Sequence, residues 1–83
     1  MQYAKVTVPW HEGLHLRQAV RLVKLAQGFR SIIRLKGDGK IADLRSIISV
    51  LALCATMGMT LEVEVSGDDE TVAAQSVEQV FLG

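Results

Sequence analysis

Apolar and polar residues alternate at the start of the chain and then change to a helical spacing. Residues 4–8 alternate up to Pro9, which predicts a half-buried strand. From Ala19 to Ala26, apolar residues recur at three- and four-residue intervals, which predicts an amphipathic helix that stops at Gly28. The change from one period to the other falls within residues 13–17, so a helix should begin there.

The middle of the chain predicts a hairpin and a second, short helix. Residues 31–36 and 40–43 are strand-like and flank the turn cluster at residues 37–39. An almost wholly apolar segment, residues 47–54, follows and reads as a helix with Ser46 as its N-cap.

A last strand and a last helix complete the pattern. Residues 61–66 alternate, Gly67 ends the strand, and Asp68 or Asp69 should cap the helix. The order β-α-β-β-α-β-α indicates a single domain over residues 1–83, of the α/β (α+β) class. We expect a two-layer, open-faced β-sandwich with a four-stranded, mostly antiparallel sheet and three helices on one face. The predicted apolar stripe of the last helix is Ala73, Val77, Val80 and Phe81.

Composition excludes several classes of function. The chain has nine basic and nine acidic residues, so it lacks the positive field that nucleic acid requires. Its single cysteine, Cys54, excludes an internal disulfide and fits a reducing compartment. The longest apolar run is interrupted and too short to span a bilayer, and no charged and apolar leader precedes the first strand. We therefore expect a cytoplasmic protein without membrane insertion.

His15 and Arg17 are the candidate chemical residues. A helix that begins here directs unpaired backbone N–H groups and the positive end of its dipole toward His15. The guanidinium of Arg17 suits phosphate oxygens. Together they suggest a phosphorylatable imidazole, although a surface histidine and a solvated arginine remain open as simpler readings.

The segment His11-Glu12-Gly13-Leu14-His15 matches the zinc-protease pattern H-E-x-x-H. The pattern needs both histidines on one helix. Here Pro9 precedes it, Gly13 interrupts it, and the helical stripe starts only afterwards. We expect no metal site, and a zinc-binding hydrolase is kept only as a remote alternative.

Residues spread over the whole chain resemble those of HPr, the histidine-containing phosphocarrier of the phosphoenolpyruvate-dependent sugar phosphotransferase system. The strongest match is the run Gly13-Leu14-His15-Leu16-Arg17 followed by Ala19. Each motif is weak alone, but the set is specific, and the length and element order are also similar. Further matching residues are Ala26, Phe29, Ser31, Ile33, Gly39, Lys40, Ser46, Gly58, Gly67, Asp68, Asp69 and Glu70.

The resemblance implies a phosphoryl carrier rather than an enzyme with its own small-molecule substrate, and no cofactor. His15 would accept a phosphoryl group from enzyme I on Nδ1 and pass it to a IIA-type domain. The backbone N–H groups of Leu16 and Arg17, with the Arg17 side chain, would hold the phosphoryl oxygens. We also expect a monomer. The partner-docking surface would consist of Ile47, Ile48 and Leu51, which share one side of the short helix; a well-covered core helix is the alternative.

Ser46 matches a serine that a regulatory kinase phosphorylates in many HPr proteins, and a phosphorylase would reverse the modification. A phosphate there would place about two negative charges at the docking surface and weaken binding of an acidic partner. An ordinary N-cap serine is the simpler reading. The alternative function is accordingly a regulatory interaction module controlled through Ser46, with little or no transfer at His15.

Three positions depart from the family pattern. Gln18 stands where proline is usual, which adds a backbone N–H and removes rigidity from the active turn. Glu12 replaces a small polar residue and would repel an incoming phosphate. Cys54 replaces a glycine, and we expect a small packed side chain there. These differences suggest a divergent or specialised member.

Overall fold

The chain folds into an antiparallel sheet with helices on one face. A computed structural model describes residues 1–82. Within them the order and class of the elements confirm the prediction, although the second helix ends at Ala52 rather than Cys54. The elements are β1 (Gln2–Thr7), α1 (Leu16–Gln27), β2 (Ile32–Gly37), β3 (Lys40–Asp43), α2 (Ile47–Ala52), β4 (Thr60–Ser66) and α3 (Glu70–Leu82).

The last strand of the chain lies in the interior of the sheet. The strand order is β1-β4-β2-β3, and every pairing is antiparallel. The β2–β3 hairpin closes through Asp38 and Gly39, whose φ angles are 51° and 74°. Two consecutive positive φ angles match the right-handed twist of the strands, which explains the Asp-Gly pair. The interior position of β4 explains why its apolar residues Leu61, Val63 and Val65 are fully buried.

The hydrophobic core fills the space between the sheet and the three helices. The apolar stripes predicted for α1 and α3 are buried as expected, because their three- and four-residue spacing turns one side of each helix toward the sheet. From α2, Val50 is fully buried. The stripe residues are Ala19, Leu22, Val23 and Ala26 of α1 and Ala73, Val77, Val80 and Phe81 of α3.

The opposite face of the sheet is polar, but one of its charged residues is not exposed. Glu64 is buried between two basic side chains of β2. Lys36 Nζ lies 2.6 Å from Glu64 Oε2, and Arg34 Nη1 lies 3.5 Å from Oε1. The hydrogen bond from Lys36 is the main cause that lowers the pKa of Glu64, and it raises the pKa of Lys36. Polar-face alternation alone would have left Glu64 solvated.

A group of hydrogen bonds fixes the start of α3 to the α1–β2 loop. The Asp69 carboxylate accepts hydrogen bonds from the Ser31 hydroxyl and from the backbone N–H groups of Arg30 (2.9 Å) and Ser31 (3.0 Å). The Ser31 hydroxyl, followed by the Arg30 N–H, lowers the pKa of Asp69. Asp69 occupies the N-cap position of α3, as predicted, since its carbonyl accepts from the Ala73 N–H at 2.9 Å, but its carboxylate binds the neighbouring loop.

Candidate functional site

The first part of the loop between β1 and α1 is fixed by the segment before β4 and by α3. The Val8 N–H donates to the Met59 carbonyl, and the Gly58 N–H donates to the Val8 carbonyl, both at 2.9 Å. Further on, the Trp10 ring packs against Phe81 with centroids 5.1 Å apart and planes tilted by 45°. The loop that leads to the helix therefore has a defined path.

Gly13 and Leu14 fix the point at which α1 begins. The Leu14 N–H donates to the Ala55 carbonyl at 2.9 Å, and the Gly13 N–H donates to the Trp10 carbonyl at 2.9 Å. Gly13 has a φ of +82°, and a Cβ atom there would lie 2.5 Å from the Ala55 oxygen. Only glycine allows the loop to approach the segment after α2 so closely.

His15 is the N-cap of α1, just before the first turn, as predicted. Its backbone is extended (φ −90°, ψ 175°), and its carbonyl accepts the first helical hydrogen bond, from Ala19 N–H at 2.9 Å. Its side chain is exposed, and within residues 1–82 it makes no capping hydrogen bond. The N–H groups of the first turn consequently have no helical partner. An exposed imidazole beside free amides is a suitable place for an anion.

Arg17 reinforces the positive charge at this end of the helix. It is exposed, and none of the ion pairs found among residues 1–82 involves it. Arg21 and Lys24 are also exposed on α1, which contains no acidic residue. The predicted pair His15 and Arg17 thus lies on one basic, solvent-exposed helix start.

Gln18 is the residue of this turn whose environment the sequence did not reveal. The residue is 6% exposed, and Oε1 has no hydrogen-bond partner in the described part of the chain. The available signal was its spacing, because Gln18 lies four residues before Leu22 on the buried side of the helix. A polar residue in an otherwise apolar stripe was easy to overlook.

The short helix α2 is neither fully exposed nor fully covered. Ser46 is its N-cap, as predicted, with Oγ accepting from Ser49 N–H at 3.1 Å. Ile48 is 81% exposed, whereas Ile47 and Leu51 are half-buried and pack against the core. α2 packs against α1, whose Leu16 is 53% exposed. Of the three predicted docking residues, Ile48 alone presents most of its side chain to solvent.

Cys54 does not have the packed side chain that was expected. It is exposed and adopts a φ of +51° just after α2. This left-handed conformation is the one that a glycine at a helix end provides without strain. The expectation failed because it considered only side-chain size, whereas the backbone decides this position.

The H-E-x-x-H match does not have the geometry of a zinc site. Residues 11–14 lie before the helix, in turn and irregular conformations, and Gly13 breaks any regular path. His11 and His15 therefore do not share one helical face, as that motif requires. Across residues 1–82, no group of three or more histidine, cysteine, aspartate or glutamate side chains could hold a metal ion. Over the same residues, no helix is both long and apolar enough to cross a bilayer.

Comparisons with known proteins agree with this geometry. A family model described as the PTS HPr component phosphorylation site matches residues 3–82. The phosphocarrier protein HPr of Xylella fastidiosa strain Temecula1 is 32% identical over 77 residues, which are 93% of this chain and 86% of that protein. The phosphocarrier protein NPr of Escherichia coli K12 is 37% identical over 70 residues, covering 83% of this chain and 78% of NPr.

The similarity extends to three dimensions. The crystal structure of HPr from Thermoanaerobacter tengcongensis superimposes with a TM-score of 0.93 at 27% sequence identity, and covers 99% of this chain and 92% of that one. The matched segment includes the helix start at His15 and the whole of the sheet. This chain belongs to the family of HPr components of the phosphotransferase system.

Proposed function

We propose that His15 is the residue that carries the phosphoryl group, which it accepts from enzyme I and passes to a IIA-type domain. Membership of the HPr family makes the chain a phosphoryl carrier of the phosphotransferase system, with partners of those two kinds. One observation supports His15 above all: it is the exposed N-cap of α1, and its own side chain leaves the first-turn amides of that helix free within residues 1–82.

The reaction needs little covalent work from this chain. His15 Nδ1 uses its lone pair to form an N–P bond, while the N–P bond of the phosphohistidine in enzyme I breaks and returns its electron pair to that imidazole. Transfer to the IIA-type domain repeats the exchange, with His15 now as the donor. The N–H groups of Leu16 and Arg17 and the Arg17 guanidinium stabilise the charge on the equatorial oxygens. The site thus acts mainly through positioning and electrostatics.

The docking surface is proposed to combine apolar and basic parts. Ile48 and Leu16 supply exposed apolar side chains on two helices that pack together, with Ile47 and Leu51 beneath. The exposed basic residues of α1 favour an acidic partner. The single cysteine cannot form an internal disulfide, which fits a reducing compartment, so we place this exchange in the cytoplasm.

Ser46 is proposed as a regulatory phosphorylation site for a serine kinase. It is exposed, and its hydroxyl caps the helix that carries Ile48. Ser46→Asp should lower the initial rate of phosphoryl uptake from enzyme I severalfold, because it adds negative charge at the docking surface. Ser46→Asn is the matched control, since asparagine caps equally well without the charge. Equal rates for the two variants would rule this regulation out.

The carrier function is tested by incubating the protein with phosphoenolpyruvate and purified enzyme I and measuring its intact mass. We expect one added phosphoryl group that is lost in acid. His15→Ala should abolish the adduct, whereas His11→Ala, the other histidine of the chain, should retain it. An adduct that survives in His15→Ala, or none in the folded wild type, would contradict the proposal.

A further inference from the structure

The outer edge of β1 is the longer of the two outer edges of the sheet. The strand order places β1 and β3 at the outside, and β1 has six residues whereas β3 has four. The N–H and carbonyl of Val8 both bond toward residues 58 and 59. The alternation of an antiparallel pair therefore turns the N–H and C=O groups of Tyr3, Lys5 and Thr7 away from β4.

These outward backbone groups are left without partners inside the described chain. Within residues 1–82, β1 pairs with β4 alone, and no other hydrogen bond to backbone or side chain uses the N–H or C=O of Tyr3, Lys5 or Thr7. A free strand edge of this kind is a template on which another strand can pair.

A groove runs along this edge, between β1 and the end of α3. Its volume is about 430 Å³, within the roughly 300–1,000 Å³ that is usual for ligand pockets. Lys5 and Val6 both line it, although neighbouring residues of a strand point to opposite faces, so the groove lies at the strand edge. Phe81 and Leu82 form its wall on α3, and Leu82 is 77% exposed. An open edge beside an apolar groove is the arrangement that binds extended peptides by strand addition.

The inner edge of β1 shows which side chains suit a strand beside it. β4 pairs there with the sequence Thr-Leu-Glu-Val-Glu-Val over residues 60–65, in which apolar residues face the helices and Glu62 lies opposite Lys5. Lys5 is exposed and takes part in none of the ion pairs found among residues 1–82. An acidic residue on its outer side would therefore add a favourable cross-strand pair.

Charge also decides against a second copy of this chain as the occupant. Two β1 strands paired symmetrically about Lys5 would place the two ammonium groups opposite each other, which is unfavourable. The acidic strand β4 of a second copy lies inside its own sheet and is not available. Glu78, which lines the groove from α3, disfavours acidic side chains on the helix side and so restricts them to the open face.

We propose that the outer edge of β1 binds an extended segment of a partner protein as a fifth strand of the sheet. Acidic residues of this segment lie beside Lys5 on the open face, and the alternating apolar residues lie in the groove against Phe81 and Leu82. The surface is built from β1 and α3, so it is separate from the helices α1 and α2 that carry the phosphoryl-transfer site.

The test titrates the ¹⁵N-labelled protein with the hexapeptide Thr-Leu-Glu-Val-Glu-Val, blocked at both ends, and follows the ¹H–¹⁵N resonances. We expect shifts along β1 and at Phe81 and Leu82. Lys5→Glu should weaken binding by about threefold to tenfold and should prefer the charge-reversed peptide Thr-Leu-Lys-Val-Lys-Val. Lys40→Glu makes the same change of charge on β3 and should stay within about twofold of wild type. An equal loss in Lys40→Glu, or no preference of Lys5→Glu for the reversed peptide, would overturn the proposal.

Hydrogen exchange on the wild type tests the backbone part of the proposal. At saturating peptide, the amide protons of Tyr3, Lys5 and Thr7 should exchange about tenfold more slowly or less, because they then donate to the added strand. Peptide binding without this protection would overturn strand addition. Concentration-dependent shifts of β1 in the absence of peptide would assign the edge to a second copy instead. The absence of any shift at millimolar peptide would remove the groove as a docking site.

Discussion

The starts of α1 and α3 are helix N-termini treated in opposite ways. At α3 the polar side chains tie the helix start to other segments: the Asp69 carboxylate accepts three hydrogen bonds from the α1–β2 loop, and Glu70 Oε1 accepts the Gly67 N–H at 3.3 Å. At α1 the N-cap is a histidine, and its side chain makes no such bond within residues 1–82. The start of α3 is anchored to the rest of the fold, whereas the start of α1 is left open to solvent.

The difference shows how a functional site can be recognised from hydrogen bonds that the chain does not make. A serine, threonine or aspartate at an N-cap typically stabilises a protein by about 1 kcal/mol relative to a residue that cannot cap. The start of α2 gains this contribution through Ser46, whereas the start of α1 does not. The described part of the chain thus caps α2, anchors α3 to a loop and leaves the start of α1 available.

The largest effect is expected from filling the close contacts beside each helix start. Gly67→Ala would place a Cβ 2.6 Å from Ser31 Cα, and Gly13→Ala would place one 2.5 Å from the Ala55 oxygen. Both glycines also have positive φ angles. Each substitution should lower the free energy of unfolding by about 3 kcal/mol, measured by urea denaturation. Phosphorylation by enzyme I, measured at low temperature where both remain folded, should fall only in Gly13→Ala.

Gly39→Ala is the control for these two variants. Gly39 has a φ of +74°, but no atom lies within 4 Å of a Cβ built there. It should lose only the left-handed preference of glycine, about 1 kcal/mol, and keep normal phosphorylation. If Gly67→Ala reduced phosphoryl acceptance as much as Gly13→Ala, the two helix starts would not be functionally distinct.

Arg17→Ala should affect the open helix start alone. The guanidinium is exposed and without an ion pair among residues 1–82, so the urea midpoint should stay within error. The rate of phosphoryl uptake should fall by about tenfold to hundredfold, because a charge-assisted donor to the phosphoryl oxygens is lost. Rapid-quench measurement with enzyme I gives this rate. Arg21→Ala, one turn further along, should stay within about twofold of wild type; an equal loss would point to general attraction between charges.

His15→Ser should exchange function for stability. A serine at the N-cap can accept a hydrogen bond from the first turn, so the free energy of unfolding should rise by about 1 kcal/mol while the acid-labile adduct disappears. Urea denaturation and intact mass measure the two effects. His11→Ser, which lies outside the helix, should not raise stability. A His15→Ser variant no more stable than wild type would contradict the view that α1 lacks a cap.

The smallest effect is the acid sensitivity of the anchor between Asp69, at the start of α3, and the α1–β2 loop. Hydrogen bonds from Ser31 and Arg30 lower the pKa of Asp69 in the folded state, so its contribution is complete above the pKa of the unfolded chain and is lost as pH falls through the folded pKa. The difference in melting temperature between wild type and Asp69→Asn should be constant from pH 7 to about pH 5 and shrink below about pH 4. A difference that persists at pH 2 would contradict this assignment.

Local patterns predicted most of the fold and half of the site. The stripes of α1 and α3, the Asp38-Gly39 turn and the Ser46 cap depend on residues within a few positions of one another, so the sequence reveals them. The role of Asp69 could not be predicted from local patterns, because its partner Ser31 lies 38 residues away. Likewise, the change from strand to helix spacing predicted the position of His15 at a helix start. It gave no sign of the Ala55 carbonyl, which fixes the preceding turn.

The interior position of β4 has a consequence for how the carrier is made. β1 pairs with β4, so it has no neighbour in the sheet before residues 60–66 have folded. The β2–β3 hairpin joins the sheet through the same strand. Sheet formation therefore depends on a late, long-range pairing, which slows folding but makes it cooperative. A ribosome that stalls before Thr60 releases a chain whose sheet is incomplete. Such a fragment should be cleared by proteases rather than compete with the finished carrier for enzyme I.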